Sequence, residues 1–358
     1  MKKLLLIILN IIIGLSTVQA QLSGPAQILY DSAFAQDPSL VTYASTNGAQ
    51  IFSTPDSSSF YIQWFPTGAT PNTTPLIVSL HGSHCNAFME FKSWHPQAQL
   101  HGCGIIALQW NRYNPNPPLD YFPDDTLYNY IDTSLTRINY PSNKAFLHGF
   151  SRGSARSYAM ILKDILSGNN YFCTTISNSG DADLAYPLYD SIDNGDFGFT
   201  PFAGKHWNLF CGANDTTVGC VKMNNTYNWL QSKGATIDIF IQDPILDHNG
   251  FQLPSSSAYK DSILDNYLNC YNGTLAIDET PDENSISIFP NPSTGMFTIE
   301  SSTYKIESIK VQNALGKVVY LSASPISSIN LNGLAKGIYF LHLKTENKQL
   351  LNKKVIIQ

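Results

Sequence analysis

Charge is scarce in this chain. Asp, Glu, Lys and Arg make up only 13% of its 358 residues, and the balance is acidic, with 27 acids against 21 bases and a formal charge of −6. A nucleic-acid binder needs a basic surface to neutralise phosphates, so nucleic acid is excluded as the main partner. None of the six cysteines stands in C-x-x-C spacing, which argues against a structural zinc module. Long hydrophobic runs are missing except for one, Leu4 to Leu15, and that one is short for a membrane span. Lys2 and Lys3 precede it and Val18-Gln-Ala20 follows it. A basic start, an apolar stretch and a small-residue site read as a secretory signal peptide over 1–20, with cleavage before Gln21. A membrane anchor is the bland alternative. There is no internal repeat.

Apolar residues make up 43% of the chain, enough for a proper core. The composition breaks near residue 283. Between Gln21 and Glu283 stand 11 bases and 24 acids, a net of −13; from Asn284 to Gln358 stand 8 Lys, no Arg and 3 Glu, a net of +5. All Cys and all Trp precede the break. This predicts a catalytic-sized domain over 21–271, a polar linker over 272–284 with Pro281, and a small domain over 285–358.

The larger domain alternates strand and helix signals, which predicts an α/β fold with a mostly parallel sheet flanked by helices. Strands are expected at 59–65, 75–80, 104–110, 144–148, 173–177, 206–211 and 236–241. Helices are expected at 87–99, 125–138, 152–166, 221–232 and 255–268. The tail has no long helical pattern. Six short strands separated by Gly, Asn and Ser turns predict a small all-β, Ig-like sandwich.

The chemistry concentrates in Lys144-Ala-Phe-Leu-His-Gly-Phe-Ser-Arg-Gly-Ser-Ala-Arg156. An apolar strand runs through Gly149-x-Ser151-x-Gly153 into a helix. A serine on that sharp turn exposes its hydroxyl at the carboxyl edge of the sheet, in front of a helix N-terminus that favours developing negative charge. The flanking positions must be small, and they are. The alternative role for Ser151 is a helix cap. A nucleophilic serine needs a base, and the base needs an orienting acid. Asp215, just past an apolar strand, is the candidate acid, with helix capping as its other role and Asp181 and Asp183 in reserve. His248 is the candidate base, as the last histidine of this domain; its neighbour Asp247 ranks below Asp215 as partner. Main-chain N–H groups of Arg152 and of Ser83, or else His84, are the candidate oxyanion donors. His81, His148 and His206 fit packed structural roles. His81, His84 and Cys85 lack the carboxylate or second His spacing of a metal site, and neither metal nor cofactor is expected. The aromatic, proline-rich loop 111–125 offers Tyr113, Tyr121 and Phe122 as one wall of a cleft, with Trp110 just before it as a further candidate, or is simply a stiff surface loop. Arg112 has either an anionic substrate group or a surface salt bridge as partner. Export makes disulfides plausible. Cys211–Cys220 is the favoured pair, because it closes a short loop around Asp215.

From Pro75 to about Cys270 the chain resembles the α/β-hydrolase superfamily, through Leu80-His-Gly-Ser83, Gly149-Phe-Ser-Arg-Gly153, Gly212-Ala-Asn-Asp215 and Asp247-His248. It is most similar to secreted polyhydroxybutyrate depolymerase-like and feruloyl or acetyl xylan esterase-like hydrolases. The lipase-type His-Gly-Gly-Gly motif is absent. The resemblance implies a serine hydrolase of carboxylic esters, small or polymeric. A serine peptidase on the same fold, or a surface binding protein with a vestigial site, are the alternatives. The last seventy-odd residues resemble a type IX secretion sorting domain, through Ile288-Phe-Pro-Asn-Pro-Ser-Thr-Gly295, Ala314-Leu-Gly-Lys317, Leu334-Ala-Lys-Gly-Ile-Tyr-Phe-Leu341 and Lys353-Lys-Val-Ile-Ile-Gln358. That implies the secretion machinery as partner and a secreted or cell-surface location. A carbohydrate-binding module fits less well, since the tail has no tryptophan to stack on a sugar.

Overall fold

The computed structural model describes residues 22–116, 119–183, 188–273, 286–301, 305–313, 318–322, 327–346 and 350–358. The expected signal peptide, most of the expected linker and the segment Ala314 to Lys317 lie outside them. The chain divides into two compact units, Met1–Ala276 and Ile277–Gln358.

In the first unit eight strands form one sheet. They are β1 Gln50–Ser53, β2 Phe60–Trp64, β3 Leu76–Leu80, β4 Gly104–Leu108, β5 Ala145–Phe150, β6 Phe172–Asn178, β7 His206–Gly212 and β8 Thr236–Asp243. Their order is β1-β2-β4-β3-β5-β6-β7-β8. β1, β2 and β4 pair antiparallel, and every pairing from β4 through β8 is parallel. The central strands β3, β4, β5 and β6 are buried at every position, as strands covered on both faces must be. This explains the nearly continuous apolar runs of β3 and β4.

Helices α1 Gly24–Gln36, α2 Pro38–Thr46, α3 Ala87–His101, α4 Asp124–Thr136, α5 Arg152–Ser167, α6 Tyr189–Asn194, α7 Gly219–Ser232 and α8 Ser257–Tyr271 complete the unit. The result is an α/β fold with a mostly parallel sheet flanked by helices, as the alternating pattern predicted. The expected strands and the five expected helices are present, shifted at their ends by a few residues. Helices α1, α2 and α6 and strand β1 were not anticipated. The buried residues of α1 are only Ala26, Leu29 and Ala33, too thin a stripe to register as an amphipathic pattern.

α3 starts where the Asn86 side chain accepts from the N–H groups of Phe88 and Met89, which satisfies two of the helix's orphan donors. Trp94, Phe146, Trp207 and Tyr267 are among the fully buried side chains that fill the space between helices and sheet. Each large apolar side chain so buried contributes roughly 1.5–3 kcal/mol of transfer free energy. Two disulfides close the unit, Cys211–Cys220 as anticipated and Cys173–Cys270, which ties β6 to α8. Cys85 and Cys103 are free.

The second unit contains seven strands, β9 Ile286–Phe289, β10 Met296–Ser301, β11 Ile306–Asn313, β12 Val318–Ser322, β13 Ser328–Asn330, β14 Gly337–Thr345 and β15 Leu350–Ile357. They form two antiparallel sheets, β13-β10-β9 and β12-β11-β14-β15. Phe297, Ile299, Ile309, Val311, Leu341 and Val355 belong to one core between them. The alternation along β11 from Ser308 on, with Ile309 and Val311 buried and Ser308 and Lys310 less so, is what made its strand pattern readable.

Candidate active site

The parallel ladders bring strand ends to one edge. Leu80 stands opposite Gly149, Gly149 opposite Ser177, Asn178 opposite Phe210, and Gly212 opposite Asp243. Each candidate residue follows one of these ends, so 151, 215 and 248 meet although they are far apart in the chain.

Ser151 occupies the turn between β5 and α5 with φ 51° and ψ −117°, a conformation that costs a non-glycine residue on the order of 1–3 kcal/mol. Its surroundings hold it there. Its N–H donates to the Asn178 carbonyl at 2.8 Å, and its carbonyl accepts from the Ala155 N–H at 3.0 Å. The turn is possible only because its flanks lack side chains. A Cβ at Gly153 would land on the Leu80 carbonyl, and one at Gly149 on the backbone of Gly153. Ser151 has no side-chain capping bond. Its hydroxyl lies 2.9 Å from Nε2 of His248 instead.

His248 Nδ1 lies 2.8 Å from Asp215 Oδ2. The other carboxylate oxygen, Oδ1, accepts from the N–H groups of Thr217 and Val218 at 2.8 and 3.0 Å. The two roles weighed for Asp215 are therefore both filled, one by each oxygen. Burial alone would raise its pKa; the His248 bond and the two main-chain donors outweigh burial and hold the carboxyl below its ordinary value. The Asp215 side chain is fully covered, while that of His248 keeps 19% exposure. The Cys211–Cys220 bridge spans the loop that carries Asp215.

Main-chain donors flank the serine. Arg152 opens α5, where first-turn N–H groups have no intrahelical acceptor. On the other side Gly82, which precedes Ser83, approaches so closely that a Cβ there would lie 3.0 Å from Cβ of Ser151. Among the described residues neither the Ser83 nor the Arg152 N–H has a hydrogen-bond acceptor.

Of the other acids weighed, Asp181 is near enough to Asp215 to feel its charge, but the ion pair to His248 is made by Asp215. Asp181 is 4.0 Å from Lys222, with its pKa raised by burial, and Asp247 accepts from the Asn249 N–H. His206 pairs with Asp238, and His148 is enclosed with Ser79 and Glu90. Trp110 corrects the expectation of a cleft wall. It is wholly buried, its indole N–H donating to the His81 carbonyl at 3.0 Å and its ring 4.4 Å from that of Tyr121. Tyr121 is nearly buried under the Arg152 guanidinium, 3.9 Å from its ring, and lines a cavity of about 400 Å³ with Arg112 and Phe122. The Arg152 guanidinium pairs with Asp120 at 2.9 Å, and Arg112 sits over the Phe122 ring at 5.2 Å. The Tyr113 hydroxyl faces Gln36.

His81 is fully buried at the end of β3. Its Nε2 accepts from the N–H groups of Trp110 and Asn111, and its Nδ1 meets the Gly82 carbonyl. These partners suit a neutral ring, and burial pushes its pKa down to about 4. Between that value and the ordinary 6.5 the unfolded chain binds the proton that the folded chain refuses, so stability must fall as pH drops through this window. The loss approaches roughly 3 kcal/mol below pH 4. Urea titrations of the wild type and of His81→Gln between pH 7 and 4 should show a shallower slope in the variant. Parallel slopes would refute the assignment.

Residues 287–358 match the family described as secretion system C-terminal sorting domain. Such a tail marks the chain for export by type IX secretion to the cell surface or the extracellular space. No curated protein matches the chain. Solved structures similar to it include a fungal esterase of Rhizomucor miehei, 11% identical over 70% of this chain and 99% of that one, with a TM-score of 0.49. A hyperthermophilic esterase of Pyrobaculum calidifontis is 11% identical over 70% and 98%, at 0.48. A carboxylesterase of Mesorhizobium loti is 16% identical over 57% and 94%, at 0.42.

Proposed function

We propose that this chain is an exported serine hydrolase that cleaves carboxylic esters. The observation that carries the proposal is the unbroken chain from Ser151 Oγ to His248 Nε2 and from His248 Nδ1 to the buried Asp215 carboxylate. Its parts suit the two halves of acyl transfer. Nδ1–H donates to Asp215, which leaves Nε2 free to accept. As Ser151 Oγ attacks the ester carbonyl, its proton passes to Nε2, and the imidazolium is stabilised by the carboxylate. The carbonyl oxygen becomes an oxyanion, with the N–H groups of Ser83 and Arg152 as its proposed donors. Collapse breaks the bond to the alcohol oxygen, which takes the proton from Nε2. Water then enters, gives a proton to Nε2 and attacks the acyl carbon. The carboxylic acid leaves and the proton returns to Ser151.

The test is covalent labelling with a fluorophosphonate probe, followed by peptide mapping. One modified residue is expected, Ser151, and labelling is lost in His248→Ala. A probe that labels Ser151→Ala as well as the wild type would sink the proposal. A panel of acetyl, feruloyl and short-chain aryl esters, with a polyester film beside them, then ranks the substrates.

A further inference from the structure

A cavity of about 430 Å³ is lined by the sequence neighbours of Ser151 and His248. Its walls come from the same three segments that carry the chemistry. Phe150 immediately precedes Ser151, Asn249 immediately follows His248, and Cys85 lies two residues beyond Ser83. The Phe150 ring stands 5.3 Å from the His248 ring, so one side chain is shared between cavity and triad. Met89 lines the apolar part. At liquid packing of about 30 Å³ per non-hydrogen atom there is room for about a dozen such atoms, far more than an acetyl group needs.

The cavity also has two side chains with hydrogen-bonding capacity left over, one of them the Lys260 ammonium, which stands 5.9 and 5.7 Å from the Trp94 and Phe251 rings. Lys260 is 98% buried and lines it. Its ammonium has three N–H groups, and two of them are used, on the Ser93 carbonyl at 2.8 Å and the Ser93 hydroxyl at 2.9 Å. Gln252 also lines the cavity. Its Oε1 accepts from the Ser93 hydroxyl, and its Nε2 is buried with no partner among the described residues. An unpaired buried donor is destabilising, so a ligand that supplies an acceptor there recovers that loss. Apolar walls with a few convergent donors are the general form of a small-molecule site.

We propose that this cavity holds the acyl arm of the substrate ester, a largely apolar group of up to about a dozen non-hydrogen atoms whose far end presents an oxygen acceptor to Lys260 and Gln252. The proposal rests on the ester-hydrolase assignment and specifies it. The acyl arm is the one assigned because it alone stays bound through both half-reactions. The alcohol must depart past the partly exposed edge of His248.

The experiment compares three p-nitrophenyl esters on the full chain: the acetate, a straight acyl chain of about eight carbons, and its analogue with a ketone near the far end. In the wild type, kcat/KM for the ketone-ended ester should exceed that for the plain chain by about tenfold, as expected for a hydrogen bond to a charged donor. Lys260→Met should erase that ratio. Met89→Trp, which fills the cavity, should lower the long-chain to acetate ratio by about tenfold or more. A matched series of acetyl esters with lengthening alcohols is the second arm. Ratios that stay within about twofold of wild type in both variants would overturn the pocket assignment and leave the hydrolase proposal standing. A Met89→Trp loss that follows the alcohol series instead would overturn the assignment to the acyl arm. Absence of any Ser151-dependent ester hydrolysis would overturn both.

Discussion

Ser151→Ala should lower kcat/KM for an aryl ester by at least about 10⁴-fold. The serine hydroxyl lies 2.9 Å from His248 Nε2, and alanine offers neither nucleophile nor proton. The fold should survive, because the turn is held by the Ser151 N–H, its carbonyl and the bare flanks of Gly149 and Gly153, all of which the variant keeps. Combining Ser151→Ala with His248→Ala should cost little beyond the single change, because the base has no function once the nucleophile is gone. Steady-state rates on purified single and double variants decide the point. A Ser151→Ala enzyme with a tenth of wild-type activity, or losses that multiply in the double variant, would show that Ser151 and His248 do not act as a unit.

Asp215→Asn should be almost as damaging, about 10³- to 10⁴-fold in kcat, with little change in melting temperature. The two oxygens of Asp215 separate these effects. Oδ1 caps the N–H groups of Thr217 and Val218, and an amide oxygen can do the same. Oδ2 accepts from His248 Nδ1, and an amide NH₂ in its place would donate instead. The imidazole would then carry its proton on Nε2, where it cannot take the one from Ser151. The missing negative charge would also leave the imidazolium unsupported. Circular dichroism melts alongside stopped or continuous rate assays test this. A variant that loses stability and activity in parallel would mean that Asp215 matters chiefly as a cap.

Much of this site is legible from local pattern. Ser151 is marked by a strand, two small residues and a helix in one stretch, and the structure places Asp215 and His248 after later strands of the same sheet. Local pattern fails where a contact is long-range. Trp110 reads as a cleft aromatic because it follows a strand on the correct edge, but the His81 carbonyl that holds its indole is set by a strand it is not adjacent to in sequence. Lys260 escapes for a similar reason, although a signal was present. It shares the buried face of α8 with Ile263, Leu264 and Tyr267, so a cation stands in phase with an apolar stripe. The approach of Gly180 to the Ser151 carbonyl is visible only once β5 and β6 lie side by side. Helices α1 and α2 were missed because their buried faces are narrow, and packing against the rest of the unit, not periodicity, defines them.

The hydrogen bond between Ser151 and His248 joins residues separated by 97 positions. No partial product of folding contains it. The loop bearing His248 comes after β8, the outermost strand of the sheet, and contacts this distant in sequence are slow to form because loop closure precedes any gain. A chain that leaves the cell with its last strand undocked therefore carries every reactive group and no reactivity. Hydrolysis becomes a gauge of completed assembly. Its onset during refolding should lag the recovery of helix signal, which forms from neighbours, and coincide with the burial of Trp207 on β7, whose strand is the one that β8 must find.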